Sequence, residues 1–215
     1  MLSGLGADMR IYRHFDLGPQ YEIVALPWLP VGESKTLGDY ARLLHSHYAP
    51  EPPFALGGVS MGGMLAQEWA RLARPEHLIL ISTATSRADM AGAIRLAAGL
   101  HVGPLLSKSI LTTLGVMGDK FTSKTKKGRS LFLDMLRESD AALLEFGARA
   151  ILDWSPPGVE VPYTRIHGTL DRVFPYGKWE DCRTVEGGNH FMIFDKGATI
   201  SKMVRAGLDS ARQSH

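Results

Sequence analysis

Ser60 sits at the centre of Gly58-Val59-Ser60-Met61-Gly62, a G-x-S-x-G pattern between an apolar run (FALGGV) and a helix-forming run (MLAQEWARL). A serine on a sharp strand-to-helix turn has strained backbone angles. Side chains two positions either side would crowd it, and glycine at Gly58 and Gly62 removes that crowding. A hydroxyl held there becomes a nucleophile when a base takes its proton and a third group orients the base. His190, in Gly187-Gly188-Asn189-His190-Phe191, supplies an imidazole on a glycine turn. Asp171, which ends His-Gly-Thr-Leu-Asp and precedes Pro175, supplies the carboxylate to accept the imidazole N–H. Negative charge that develops on an attacked carbonyl needs fixed donors. The N–H of Met61, at the start of the helix, is one candidate. The N–H of Leu5, in Ser3-Gly4-Leu5-Gly6-Ala7-Asp8, is the other. The chemistry these residues allow is acyl transfer to a serine, with no metal or cofactor required.

The elements that position them alternate. Tyr21–Trp28, Phe54–Val59, His77–Ser82, Tyr163–His167 and Arg183–Glu186 read as strands. Thr36–Tyr48, Met61–Leu72, Asp140–Trp154 and Thr199–Arg212 read as helices, the third starting at a capping aspartate and halted before Pro156 and Pro157. The segment from Ala84 to about Ser139 breaks this rhythm and reads as several short helices. Strands alternating with helices predict an α/β fold with a mostly parallel, doubly wound sheet. The order Ser60, Asp171, His190 is the one expected when all three follow the C-terminal ends of successive parallel strands.

At 215 residues the chain fits one domain that can bury a substantial core. Its 24 Lys+Arg against 22 Asp+Glu leave a net charge of +2, too little to point to nucleic acid or an anionic membrane. One cysteine, Cys182, allows no internal disulfide and no thiolate cluster for zinc, which fits a cytoplasmic setting. Neither a secretory signal nor a membrane span is expected. The longest apolar stretch, Met90 to Leu106, is interrupted by Arg95, His101 and Pro104.

With the elbow, the "IHGTLDRVFP" acid loop and the "EGGNHF" histidine loop in this order, the sequence resembles the α/β-hydrolase superfamily over nearly its whole length. That resemblance implies a core from residues 1–83 and 140–215. It also implies a helical cap at 84–139 that roofs the pocket and sets substrate choice. A serine at the elbow sets the chain apart from dehalogenase and epoxide-hydrolase relatives, which use aspartate there. Two departures stand out. Ser3 replaces the histidine that the family often carries in its oxyanion loop. The usual first strands are lacking too, so Met1 and Leu2 supply only a stub of the strand that feeds that loop. Either Met1 is not the natural start, or the sheet closes differently. An unpaired sheet edge invites partners, so a homodimer or a locally repaired edge is expected.

The expected function is serine hydrolysis of a small, apolar carboxylic ester, lactone or thioester. Acyl transfer, C–C hydrolysis or cofactor-free peroxidation on the same triad stay open, as does a non-catalytic ligand-binding role. Among other features, His45 and His47 do not share a helix face and read as solvated. Lys120–Arg129 reads as a solvated cap loop. Met90, Met117 and Met135 suit either cap core or an acyl pocket. Asp89 is a weaker rival to Asp171, Trp28 and Trp154 read as core or pocket wall, and Cys182 as a small buried hydrophobe.

Overall fold

A computed structural model describes residues 1–100, 123–158, 160–177 and 179–213. Its sheet has four strands: β1 (Ala55–Val59), β2 (His77–Ile81), β3 (Tyr163–Gly168) and β4 (Cys182–Val185). They lie in the order β1-β2-β3-β4, all parallel. The register aligns Val59 with Ile81, Ile81 with Ile166, and Ile166 with Arg183. The loops that follow β1, β3 and β4 therefore leave the same edge of the sheet.

Along β2 every residue is buried, as a strand covered on both faces requires. Leu78 and Leu80 face one core with Leu37, Tyr40 and Leu44 of α1 (Leu37–Tyr48) and Met64, Leu65 and Trp69 of α2 (Met61–Ala73). Ile79 and Ile81 face the opposite core with Val59, Ile166 and Val185. The terminal helix there, Gly197–Gln213, contributes Ile200, Val204 and Leu208. The sheet is thus doubly covered, as the alternating elements predict. Helix α1 starts on a reciprocal capping box between Thr36 and Asp39.

Between β2 and β3 run α3 (Gly92–Gly99), α4 (Lys126–Glu138) and α5 (Ala141–Asp153). Asp140 caps α5 by accepting the Leu143 N–H, as the sequence suggests. The middle of the expected cap, with Met117 and the start of the Lys120–Arg129 run, lies outside the described residues. After β4 come α6 (Met192–Asp195) and α7 (Gly197–Gln213). No helix among the described residues is long and apolar enough to cross a membrane.

One expected strand does not form. Tyr21–Trp28 is irregular apart from a single bridge, where Leu2 lies between Leu26 and Gly58 and runs parallel to both. Leu2 N–H donates to the Gly57 carbonyl, Val59 N–H to the Leu2 carbonyl, and Leu26 N–H to the Met1 carbonyl. A strand is held by its neighbour, and here the neighbour is one residue deep. The stub expected of Met1 and Leu2 is what fills the edge beside β1.

Candidate active site

Ser60 immediately follows β1 and precedes α2, with φ 56° and ψ −121°. This is a left-handed φ that non-glycine residues rarely adopt, the strain expected of an exposed nucleophile. Hydrogen bonds to the Ser60 backbone hold the turn. Ser60 N–H donates to the Ile81 carbonyl at 3.0 Å, and Gly63 N–H to the Ser60 carbonyl at 2.9 Å. Thr83 Oγ1 donates to that same carbonyl at 2.7 Å. Neither glycine of the elbow leaves room for a Cβ. A Cβ on Gly58 would sit 2.6 Å from the Gly63 nitrogen and overlap the Gly62 carbonyl. A Cβ on Gly62 would overlap the Leu2 and Ser3 carbonyl oxygens.

The structure brings the three side chains together. His190 Nε2 lies 3.0 Å from Ser60 Oγ, and His190 Nδ1 lies 2.9 Å from Asp171 Oδ2. The Asp171 side chain is fully buried, while that of His190 keeps a small opening to solvent. Asp171 Oδ1 accepts the backbone N–H groups of Val173 and Phe174 at 2.9 and 3.0 Å. Burial alone would raise the Asp171 carboxyl. The His190 ring and the hydrogen bond from His167 outweigh burial and hold it well below the ordinary carboxylate range. The carboxylate is therefore ionised and aimed at His190, whose ring packs edge-on against Phe174.

The loop that carries Leu5 is seated on the elbow. A Cβ on Gly4 would lie 3.3 Å from Ser60 Cβ. The Leu5 side chain rests on Gly147 of α5, next to Met61. Ala7 accepts the Trp28 indole N–H at 2.8 Å, Asp8 N–H points at Met135 Sδ of α4, and Arg10 bridges Asp8 and Glu138. Helices α4 and α5 thus buttress the loop. Neither the Leu5 N–H nor the Met61 N–H donates to another group among the described residues. That leaves both available for an oxyanion. A cavity of about 870 Å³ adjoins this loop at Ala7, lined in part by Trp28, Met135, Leu143 and Phe146.

The remaining candidates sit elsewhere. Asp89 pairs with Arg165 at 3.0 Å and accepts the Thr85 and Ser86 N–H groups. Its carboxylate serves a buried ion pair, and the acid beside His190 is Asp171. His45 is half-buried and accepts the Trp69 indole N–H at 3.0 Å, so it is not the solvated group the sequence suggests. Among the described residues no cluster of His, Cys, Asp and Glu could hold a metal ion. Met90 and Trp154 are core. Cys182 is half-exposed at the start of β4, and burial pushes its thiol up to about 11, so it is no ready thiolate. Two polar groups at the site were not singled out by motif: Thr83, which fixes the elbow carbonyl, and His167, which touches Asp171. Only the position of His167 inside "IHGTLD" could have flagged it.

A model of the alpha/beta hydrolase family matches residues 1–201. No curated protein matches the sequence. Among solved structures, a thermophilic esterase from Thermogutta terrifontis shares 15% identity, covering 98% of this chain and 88% of its own, with a TM-score of 0.75. The RedJ thioesterase of prodiginine biosynthesis in Streptomyces coelicolor shares 18%, covering 96% and 87%, with a TM-score of 0.64. The epoxide hydrolase CorEH shares 15%, covering 97% and 90%, with a TM-score of 0.66. At these identities the likeness is one of fold.

Proposed function

Since the chain belongs to the alpha/beta hydrolase family, we propose that it is a serine hydrolase that cleaves a small, apolar carboxylic ester or thioester through an acyl-enzyme. The observation that carries this reading is the unbroken relay from Asp171 Oδ2 through His190 to Ser60 Oγ, at 2.9 and 3.0 Å. The strained Ser60 backbone and two uncommitted N–H groups beside it add support. The esterase and thioesterase among the structural neighbours are consistent with it.

In this mechanism His190 Nε2 takes the Ser60 proton as Oγ attacks the substrate carbonyl. The tetrahedral oxyanion is held by the N–H groups of Leu5 and Met61. His190 returns the proton to the leaving alcohol or thiol as its bond to the acyl carbon breaks. Water then adds to the acyl-enzyme with His190 as base, and the carboxylic acid leaves as Ser60 recovers its proton. Asp171 stays ionised throughout, fixing the imidazole tautomer and stabilising the imidazolium. In this reading the cap expected at 84–139 selects the acyl group, and the expected core at 1–83 and 140–215 carries the catalytic residues.

Hydrolysis of short-chain p-nitrophenyl esters and thioesters tests the proposal. Ser60→Ala and His190→Ala should each lower kcat by about 10⁴–10⁶-fold. Turnover that survives either substitution near the wild-type rate would refute the assignment.

A further inference from the structure

His167 is the penultimate residue of β3, paired in register with Thr184, and its side chain has no solvent exposure. Its Nε2 lies 2.6 Å from the Phe174 carbonyl oxygen and 3.3 Å from Asp171 Oδ2. Both of those atoms are acceptors, so the ring proton sits on Nε2, donated to the Phe174 carbonyl with Asp171 Oδ2 beside it. The other ring nitrogen, Nδ1, is buried without a partner. A polar ring that leaves one nitrogen unsatisfied is a poor choice for packing alone. Trp179 packs edge-on against the ring at 5.1 Å and itself lies over Arg165, so the ring is wedged in place.

Asp171 follows β3 by three residues, in a loop that turns back on itself. Its Oδ1 holds the N–H groups of Val173 and Phe174. Its Oδ2 must be presented to His190. The His167 Nε2–H holds the Phe174 carbonyl, and with it the loop that carries Asp171, to the rigid end of the strand, and the same nitrogen lies 3.3 Å from Oδ2.

We propose that His167 is a positioning residue, a second imidazole behind the catalytic acid that fixes the Asp171 carboxylate in the orientation His190 needs. The proposal rests on the serine-hydrolase reading. Its consequence is electrostatic as well as geometric. A donor on Oδ2 shares the carboxylate charge, so its loss leaves that charge to His190 and favours the protonated imidazole. The groups facing His190 are Asp171, Ser60 and the Phe174 ring. Behind Asp171 stands His167, and beyond Trp179 stands Arg165 with its partner Asp89.

Three substitutions separate positioning from packing. Gln places an amide N–H near the position of Nε2, Asn falls short of it, and Leu has none. His167→Leu and His167→Asn should lower kcat about ten- to a hundredfold with KM little changed. In both, the acid limb of the kcat/KM profile should move up by about half a pH unit. His167→Gln should stay within about threefold of wild type with its limb in place. If the Leu variant does not fold, the Gln and Asn pair still decides. Equal behaviour of Gln and Asn, or an unmoved limb in both Asn and Leu, overturns the proposal. A wild type without ester turnover would instead overturn the hydrolase reading. The positioning claim is then read from the low-field His190 Nδ1 proton by NMR, which should change in Asn and Leu but not in Gln. The same signal in all four proteins overturns it.

Discussion

Gly62→Ala is the sharpest probe of how the oxyanion loop is seated. A Cβ on Gly62 would lie 2.6 Å from the Leu2 carbonyl carbon, where relaxed carbon–carbon contacts need roughly 3.5–4.0 Å. The obstruction is backbone on both sides, so no side chain can swing away. The loop must retreat from the elbow by about 1 Å. Leu5 is two residues on from the atoms displaced, so its N–H retreats with them. A hydrogen bond of about 2.9 Å to the oxyanion then stretches beyond useful length. Loss of one such donor costs about 10²–10³ in kcat, and the overpacking costs about 1–3 kcal/mol of stability. The assay is steady-state ester hydrolysis beside chemical denaturation. Gly92→Ala is the control, because nothing lies within 4 Å of a Cβ there. It should leave kcat alone and keep or slightly raise stability. A Gly62→Ala enzyme with wild-type kcat and stability would refute the claim that the loop rests on the elbow.

Other outcomes follow from the charges and the thiol. The fold holds the Asp171 carboxyl below its unfolded value of about 3.9, so the stability it contributes is complete above that pH and is lost as pH falls below it. Asp171→Asn should therefore flatten the acid side of the stability–pH curve, and an unchanged acid side would count against the buried carboxylate. Asp89→Asn strands the Arg165 charge, which is 3% exposed, and should cost about 3–5 kcal/mol by denaturation. A cost under about 1 kcal/mol would mean that the pair is not desolvated. With its thiol pushed up to about 11, Cys182 should alkylate slowly at pH 7.5, and Cys182→Ser should keep full turnover. Fast alkylation that abolishes activity would reverse that reading.

The elbow was legible in the sequence because its logic is local. Gly58, Ser60 and Gly62 clash or clear one another within five residues, whatever the rest of the chain does. The acid and histidine loops were legible for a similar reason, since each is a short motif that directly follows a strand. Tyr21–Trp28 was misread because strand formation depends on a neighbour. Its residues suit a strand, yet its one bridge is Leu26 to Leu2. The Asp89–Arg165 pair was hidden by distance along the chain, 76 residues, and by an arginine buried in a strand. His167 was hidden by its company. A histidine beside an acid-loop glycine reads as part of the motif until Phe174 folds back and shows what its proton serves.

The central claim is that Ser60 is a nucleophile primed by His190. Labelling with a fluorophosphonate, followed by mass-spectrometric mapping of the adduct, tests it most directly. The adduct should fall on Ser60, vanish in Ser60→Ala, and form at least a hundredfold more slowly in His190→Ala. A folded protein that takes no label, or takes it on another serine, would contradict the account.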